Sequence, residues 1–359
     1  MTATRTSTLA VLPGDGIGPE VTAAAVAVLE VAASRFGFGL RFEEALLGGA
    51  AIDACGDPFP AETRAVCEAA DGIFLGAVGG PRWEQGGPRP EAGLLGIRKA
   101  FGLYANLRPV APILAVAEHA SPIRAERLQG VDVVFVRELT GGIYFGEKRR
   151  TPQGAVDTCA YTVTEIERVV TRAAHIAMGR KRILTSVDKA NVLETSRLWR
   201  EVTERVVRTS FPALQLEHVL VDAMAMHLLA RPADFDVVVT ENLFGDVLTD
   251  EASMLAGSMG LLPSASLGDG TLGLYEPIHG SAPDLAGRGV ANPCGAILSA
   301  ALFVRHTLGR EDVASAIERA VCEVVTSGPR TPDLGGRACT ADVTAAVVSA
   351  IEGSPSSAP

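Results

Sequence analysis

Hydrophobic positions follow two rhythms along the chain. Residues 8–12 form a short apolar, β-prone run, the pattern of a strand buried on both faces. Pro13-Gly14-Asp15-Gly16-Ile17-Gly18 supplies a turn, and Pro19 suits a first helical position because its missing N–H costs nothing there. Val21, Ala24, Ala25, Val28 and Leu29 then recur at helical spacing. Further buried strands are predicted over 73–75, 131–136, 183–187, 216–221 and 237–240. Helices are predicted over 164–178, 223–230, 243–255, 292–308, 311–326 and 341–351. Strands alternating with helices predict an α/β protein with a largely parallel core. No internal repeat or low-complexity linker interrupts the pattern, and only 353–359 reads as a disordered tail.

Composition narrows the choice. A length of 359 residues accommodates one large or two medium domains. With 47% hydrophobic and 21% charged residues the chain can bury a sizeable core, which excludes wholesale disorder. Asp plus Glu outnumber Lys plus Arg by 42 to 32, and there is no basic run, so nucleic acid is not an expected partner. The six cysteines are scattered, with no CxxC pair and no Cys/His cluster at zinc spacing. No leader pattern occupies the first ten residues, and no stretch approaches the ~18 apolar residues of a membrane span. The expectation is a cytoplasmic protein with reduced thiols and no membrane partner.

Gly14-x-Gly16-x-x-Pro19 almost makes the dinucleotide fingerprint G-x-G-x-x-G, and it joins a strand to a helix as that motif requires. The third glycine is displaced to Gly18, however, and Glu43 and Glu44 are only loose candidates for the acidic residue that should follow. A tight strand-to-helix turn explains the same residues.

Four segments, 93–98 with 105–109, 136–146, 186–192 and 244–250, carry candidate chemistry. Asp246 and Asp250 are four apart on a predicted helix, so their carboxylates share one face. Two such groups beside apolar surface repel unless a cation joins them, and oxygen-only ligands favour Mg²⁺ or Mn²⁺. A solvated acidic face is the alternative. Asp222, after the 216–221 strand, is either a third oxygen ligand or a helix N-cap. Arg98, Arg108 and Arg137 end apolar segments; converging, they would suit a dicarboxylate, and otherwise they are surface arginines. Lys189 is one of only four lysines against 28 arginines, and it follows an apolar strand directly. Lys can shed its proton where Arg cannot, which fits proton transfer. Tyr144, in a glycine-framed turn, could be a general acid. Either residue could instead be structural.

Taken together, residues 136–146, 186–192, 221–227, 262–267 and His279-Gly280-Ser281-Ala282-Pro283-Asp284 resemble the β-decarboxylating dehydrogenases of the isocitrate/isopropylmalate dehydrogenase family, from Leu9 to about Val347. The resemblance implies an α/β fold with an open mixed sheet flanked by helices that is not Rossmann. It implies a discontinuous nucleotide-binding domain, 1–103 with 257–359, and a second domain, 104–256, carrying the dimer interface and an arm. By the same resemblance Arg98, Arg108 and Arg137 hold the malate carboxylates, and Asp222, Asp246 and Asp250 bind the metal. Asp222 also touches substrate. Tyr144 and Lys189 are the catalytic acid and base, and Lys189 and Asp222 come from the second subunit of an obligate homodimer with shared active sites.

The implied reaction is NAD- and Mg²⁺- or Mn²⁺-dependent oxidative decarboxylation of 3-isopropylmalate to 4-methyl-2-oxopentanoate and CO2, in leucine biosynthesis. Glu91, Leu94, Leu95 and Val192 match the family's pocket for the 3-substituent. Three of these are apolar, which suits isopropyl; a carboxylate arm would be desolvated there and face Glu91. For the cofactor, 76–83 and 279–292 match the nucleotide loops, with Gly76, Glu91, His279, Gly280, Ser281, Ala282, Pro283, Asp284 and Asn292 as binding residues. A carboxylate at Asp284 repels a 2′-phosphate and so favours NAD over NADP, with Arg288 nearby as a counterweight. A dehydrogenase of another 3-alkylmalate, or a non-catalytic regulatory subunit of the family, are the alternatives. Loss of Lys189, Tyr144 or a metal carboxylate would mark the latter, and all are present.

Overall fold

The structure is a computed structural model that describes residues 6–353. Of the tail expected to be disordered, 354–359 lie outside the described residues, while Gly353 ends the last helix, Thr340–Gly353. The strands in chain order are β1 (Thr6–Gly14), β2 (Gly39–Glu44), β3 (Gly72–Ala77), β4 (Ala105–Val110), β5 (Val133–Glu138), β6 (Lys148–Thr151), β7 (Gly154–Asp157), β8 (Ile183–Asp188), β9 (Gln215–Leu220), β10 (Val237–Thr240), β11 (Pro263–Leu267) and β12 (Gly273–Pro277). The chain divides into two compact units, one of Met1–Gly102 with Ser258–Pro359 and one of Leu103–Gly257.

The first unit orders its strands β2-β1-β3-β12-β11. All neighbours are parallel except β11 and β12. Every residue of β3, β11 and β12 is buried, which explains the apolar and small residues of β3 and β11, while β12 also buries Glu276. The helix Gly18–Phe36 links β1 to β2 and stops at Gly37, whose left-handed backbone donates to the Ala33 carbonyl. The helix Cys294–His306 is buried at ten positions, small residues among them. It begins later than the predicted 292 because the Asn292 side chain accepts from the Cys294 amide, placing Asn292 ahead of the helix.

The second unit orders its strands β4-β5-β10-β8-β9, antiparallel at β4/β5 and parallel elsewhere. The sheet is thus mixed and open, as expected, and neither unit shows the Rossmann strand order. Val133, Phe135, Val187, Val219 and Val238 meet Met224, Leu228, Leu248, Ala252 and Leu255 in a core under two helices, Val221–Ala230 and Asn242–Ala256. Val247, next to Leu248 on the same helix, points outward. Strands β6 and β7 form a separate hairpin in which every residue is exposed.

Two helix starts have clear causes. Thr162 and Glu165 form a reciprocal capping box ahead of Val163–Met178. Glu241 accepts from the Phe244 amide at 2.6 Å and starts Asn242–Ala256, which ends at Gly257 with φ of 85°. Val221 proves to be the first residue of a helix rather than the end of a strand. Asp222 therefore lies inside the first turn and is not the N-cap; Leu220 occupies that position, with no side-chain bond. No described helix is long and apolar enough to cross a membrane.

Candidate active site

One face of the helix Asn242–Ala256 organises the second unit. Asn242, Gly245, Asp246, Thr249 and Asp250 fall at helical spacing along it. Arg137, near the end of β5, lies across this face: a Cβ at Gly245 would sit 2.6 Å from its Cγ. Its guanidinium donates from Nε and Nη2 to Asn242 Oδ1, at 3.1 and 2.9 Å, and from Nη1 to Asp246. Arg108, on β4, donates to Asn106 Oδ1 at 2.9 Å and to Thr249 Oγ1 at 2.6 Å, with Asp250 at 3.4 Å. The β4/β5 register sets Asn106 opposite Arg137, so both arginines leave adjacent strands toward one helix. Arg108, Arg137, Asp246 and Asp250 are therefore brought together.

Tyr144 joins them. Its hydroxyl donates to Asp246 Oδ2 at 2.7 Å. Burial and the Asp246 carboxylate together push the phenol up to about 12. Burial alone would raise Asp246, but Arg137, the Tyr144 hydroxyl and Arg108 together outweigh it and hold the carboxyl below its ordinary range. The loop carrying Tyr144 is fixed from beneath. Buried Glu138 accepts from the amides of Thr140 and Gly141, at 3.0 and 2.7 Å. Gly142 adopts φ of 73°, and a Cβ there would lie 2.4 Å from the Tyr161 hydroxyl. Tyr161 in turn donates to Glu241 at 3.3 Å. Burial raises the carboxyls of both Glu138 and Glu241.

Lys189 follows β8 directly. Its amide donates to Ser196 Oγ at 3.0 Å, and the buried Asp188 before it takes two bonds from Arg200, each 2.9 Å. Its ammonium pairs with Asp222 Oδ1 at 2.5 Å, and that bond holds the exposed Asp222 carboxyl below its usual range. Asp222 is thus engaged by Lys189 within one chain. Among the described residues no three acidic, His or Cys side chains of a single chain group closely enough to hold a metal ion. The set Asp222, Asp246 and Asp250 is not assembled by one copy. Val192, three residues beyond Lys189, is 62% exposed and so is not core.

In the first unit Arg98 is buried and donates to Glu276 Oε1 at 3.0 Å. Glu91, Leu94 and Leu95 share its helix, Glu91–Ala100; Leu94 is half-buried and Leu95 is 36% exposed. Neither leucine is fully buried. Gly80, Trp83, Arg89, Glu91, Ser281 and Pro283 line an open groove of about 240 Å³.

The glycine turn at 14–18 is a tight strand-to-helix connection. The Asp15, Ile17 and Gly18 amides donate to the carbonyls of Ala77, Ser281 and Asp15. A Cβ at Gly16 would lie 1.9 Å from the Ser281 carbonyl, so this turn docks the 279–284 segment. Gly76 is walled by Pro13, Gly18 and Thr22, where its lack of a side chain serves close packing. Ala282 adopts φ of 39°, an uncommon backbone for a residue with Cβ. His279 contacts the Gly280 carbonyl through Nδ1 at 3.0 Å, while its Nε2 is buried without a protein partner. Burial pushes this imidazole below its ordinary value. Gly280, Pro283 and Asp284 are exposed. Asn292 donates to Asp333 Oδ2, 41 residues on, and accepts from the Cys294 amide.

Sequence reasoning passed over Asn106, Glu138, Tyr161, Glu241, Asn242 and Glu276. These side chains act on the named residues; Glu138 lies within the 136–146 segment and Asn106 two residues before Arg108, yet nothing in the sequence assigned them a part.

Comparisons with known proteins identify the family. The model of the family described as isocitrate/isopropylmalate dehydrogenase matches residues 8–351. A 3-isopropylmalate dehydrogenase of Anaeromyxobacter dehalogenans is 58% identical, over 92% of this chain and 96% of that protein. One from Rhodopirellula baltica is 57% identical, over 91% and 93%. The crystal structure of isocitrate dehydrogenase from Methylococcus capsulatus superimposes with a TM-score of 0.87 at 34% identity, covering 97% of this chain and all of that one. The chain belongs to the isocitrate/isopropylmalate dehydrogenase family of β-decarboxylating dehydrogenases.

Proposed function

We propose that this chain oxidises and decarboxylates 3-isopropylmalate to 4-methyl-2-oxopentanoate and CO2, with NAD and Mg²⁺ or Mn²⁺, as a step of leucine biosynthesis. The observation that carries the reading is the single helix face where Arg108, Arg137, Tyr144, Asp246 and Asp250 meet. Relatives bearing the name 3-isopropylmalate dehydrogenase at 57–58% identity support the choice of substrate.

Arg98, Arg108 and Arg137 bind the two carboxylates of the malate core, Arg giving planar, charge-assisted capture. Lys189, as the neutral amine after its ammonium has lost a proton, takes the C2 hydroxyl proton as C2 is oxidised. Tyr144, held protonated beside Asp246, returns a proton to the enolate after CO2 leaves. A bound divalent cation supplies Lewis-acid polarisation of the C2 oxygen, and NAD supplies the hydride acceptor.

The oxygen-only donors Asp246 and Asp250 suit a hard cation. Within one chain they stand apart from Asp222, which supports a homodimer in which Lys189 and Asp222 of one copy complete the site of the other. The exposed β6–β7 hairpin fits the arm of such a dimer, as do exposed Met226, Leu229, Val247 and Met254. For the nucleotide, the buried unpartnered Nε2 of His279 fits as a hydrogen-bonding group for adenine. The exposed Asp284 suits ribose hydroxyls and disfavours a 2′-phosphate. Glu91, Leu94, Leu95 and Val192 select the 3-substituent.

The test is a panel of kcat/KM values for 3-isopropylmalate, 3-methylmalate, malate, isocitrate and homoisocitrate, each with NAD and NADP. The reading predicts 3-isopropylmalate with NAD to be best. A preference for 3-methylmalate would point to another alkylmalate pathway, and a preference for isocitrate would overturn the assignment.

A further inference from the structure

Asn242 stands at the start of the Asn242–Ala256 helix and is 1% exposed. Its side-chain amide faces two separate segments. Oδ1 accepts from Nε and Nη2 of Arg137, at 3.1 and 2.9 Å. Nδ2 donates to the Gly141 carbonyl at 3.1 Å. The neighbours dictate this orientation, because a guanidinium offers no acceptor and a carbonyl no donor. Gly141 immediately precedes the Gly142–Tyr144 turn. The Asn242 backbone amide also donates to the Tyr161 hydroxyl at 3.0 Å, and the Tyr161 ring lies directly against Gly141 and Gly142.

Arg137 and the Tyr144 loop are therefore tied together twice from one helix. Asp246 makes one tie, to Arg137 and to the Tyr144 hydroxyl. That carboxylate is charged, and a divalent cation would compete for its oxygens. Asn242 makes the other tie without charge, so a cation at Asp246 has no call on it. Because Asn242 itself carries no charge, its bonds persist whether or not the metal is bound.

We propose that Asn242 is a positioning residue that sets Arg137 and Tyr144 at a fixed separation, coupling carboxylate capture to enolate protonation. The inference rests on the roles given to Arg137 and Tyr144 above. Its test uses the full chain with Asn242→Asp and Asn242→Ala. The readouts are KM for 3-isopropylmalate, the rate of product formation from the β-keto acid offered directly, and the melting temperature.

Asn242→Asp keeps the acceptor toward Arg137 but sets an oxygen against the Gly141 carbonyl. Its negative charge beside Arg137 should raise KM, and the lost Gly141 bond should slow keto-acid processing by about 10²-fold, the scale of a roughly 1 Å misplacement. Asn242→Ala removes both ties and should also raise KM by about 10-fold, as expected on losing bonds to a charged group. Wild-type KM and keto-acid rates in Asn242→Ala would overturn the proposal. So would losses in both variants that track only a fallen melting temperature, with no difference between the two readouts. If Asn242→Ala fails to fold, the isosteric Asn242→Asp decides alone, and an unchanged keto-acid rate refutes the coupling. A wild-type chain inert toward both compounds would overturn the function itself, and with it this inference; that result appears before any substitution is made.

Discussion

Asp246 holds Tyr144 and Arg137 with one carboxylate: Oδ2 accepts from the phenol at 2.7 Å, and Oδ1 takes the guanidinium. A proton donor and a carboxylate anchor therefore share a support that is also a candidate metal ligand. The phenol is held protonated, up at about 12, which is the state an acid needs at neutral pH.

Substitution at Tyr144 and Lys189 should separate the two halves of the reaction. Lys189→Met should abolish hydride transfer from 3-isopropylmalate, with a loss of about 10²–10⁴-fold, while keto-acid processing is less impaired. Tyr144→Phe should retain part of the oxidation step and be slow in forming product from the keto acid. Stopped-flow NADH formation and a direct keto-acid assay read the two steps. Normal oxidation by Lys189→Met, or normal keto-acid turnover by Tyr144→Phe, contradicts the assignment.

Shared sites make a stoichiometric prediction. Lys189→Met and Tyr144→Phe, each impaired alone, should regain activity when their subunits are exchanged. Random pairing makes half the dimers mixed, and each mixed dimer has one intact site of two, so recovery should approach about a quarter of wild type. Exchange confirmed by mass spectrometry without recovery would place Lys189 and Tyr144 in the same copy's site.

Asp246→Asn should cost metal affinity far more than fold stability, because the amide keeps the shape but loses the charge. Excess Mn²⁺ should raise the melting temperature of the wild-type protein through binding linkage and leave the variant almost unmoved. An equal shift in both would remove Asp246 from the metal site.

Acid sensitivity has a defined sign. Burial lowers both His218 and His279, so the unfolded chain binds protons first as pH falls below the ordinary histidine value of 6.5. Their contribution to stability is present above that value and is lost toward their lower folded values. Glu138 and Glu241, raised by burial, act in the opposite sense above about 4.5, the ordinary glutamate value. The histidine part is isolated by comparing denaturant midpoints at pH 7.5 and 5.5 with those of a His218→Gln, His279→Gln double variant. The variant should lose less stability on acidification, and an identical slope would contradict this.

Much of this architecture was legible in the chain. Fully buried strands such as β3 and β10 read as continuous apolar runs, and the helix Asn242–Ala256 was predicted to within a residue at each end. Arg108, Arg137, Tyr144, Asp246 and Asp250 stood out because unusual residues abut apolar runs. Asp222 was harder: a strand that ends one residue early turns a cap into a first-turn residue, and no propensity marks that step. The supporting side chains were not legible for a different reason. Asn242 and Tyr161 lie 81 residues apart yet hydrogen-bond, and Arg98 meets Glu276 across 178 residues. Such pairings arise from strand order and leave no local pattern.

The most direct measurement follows NADH and CO2 together when purified protein meets 3-isopropylmalate, NAD and Mg²⁺. The account predicts one CO2 released per NADH formed, with both ceasing when excess chelator is added. NADH without CO2, full turnover in chelator, or no turnover of 3-isopropylmalate at all would contradict it.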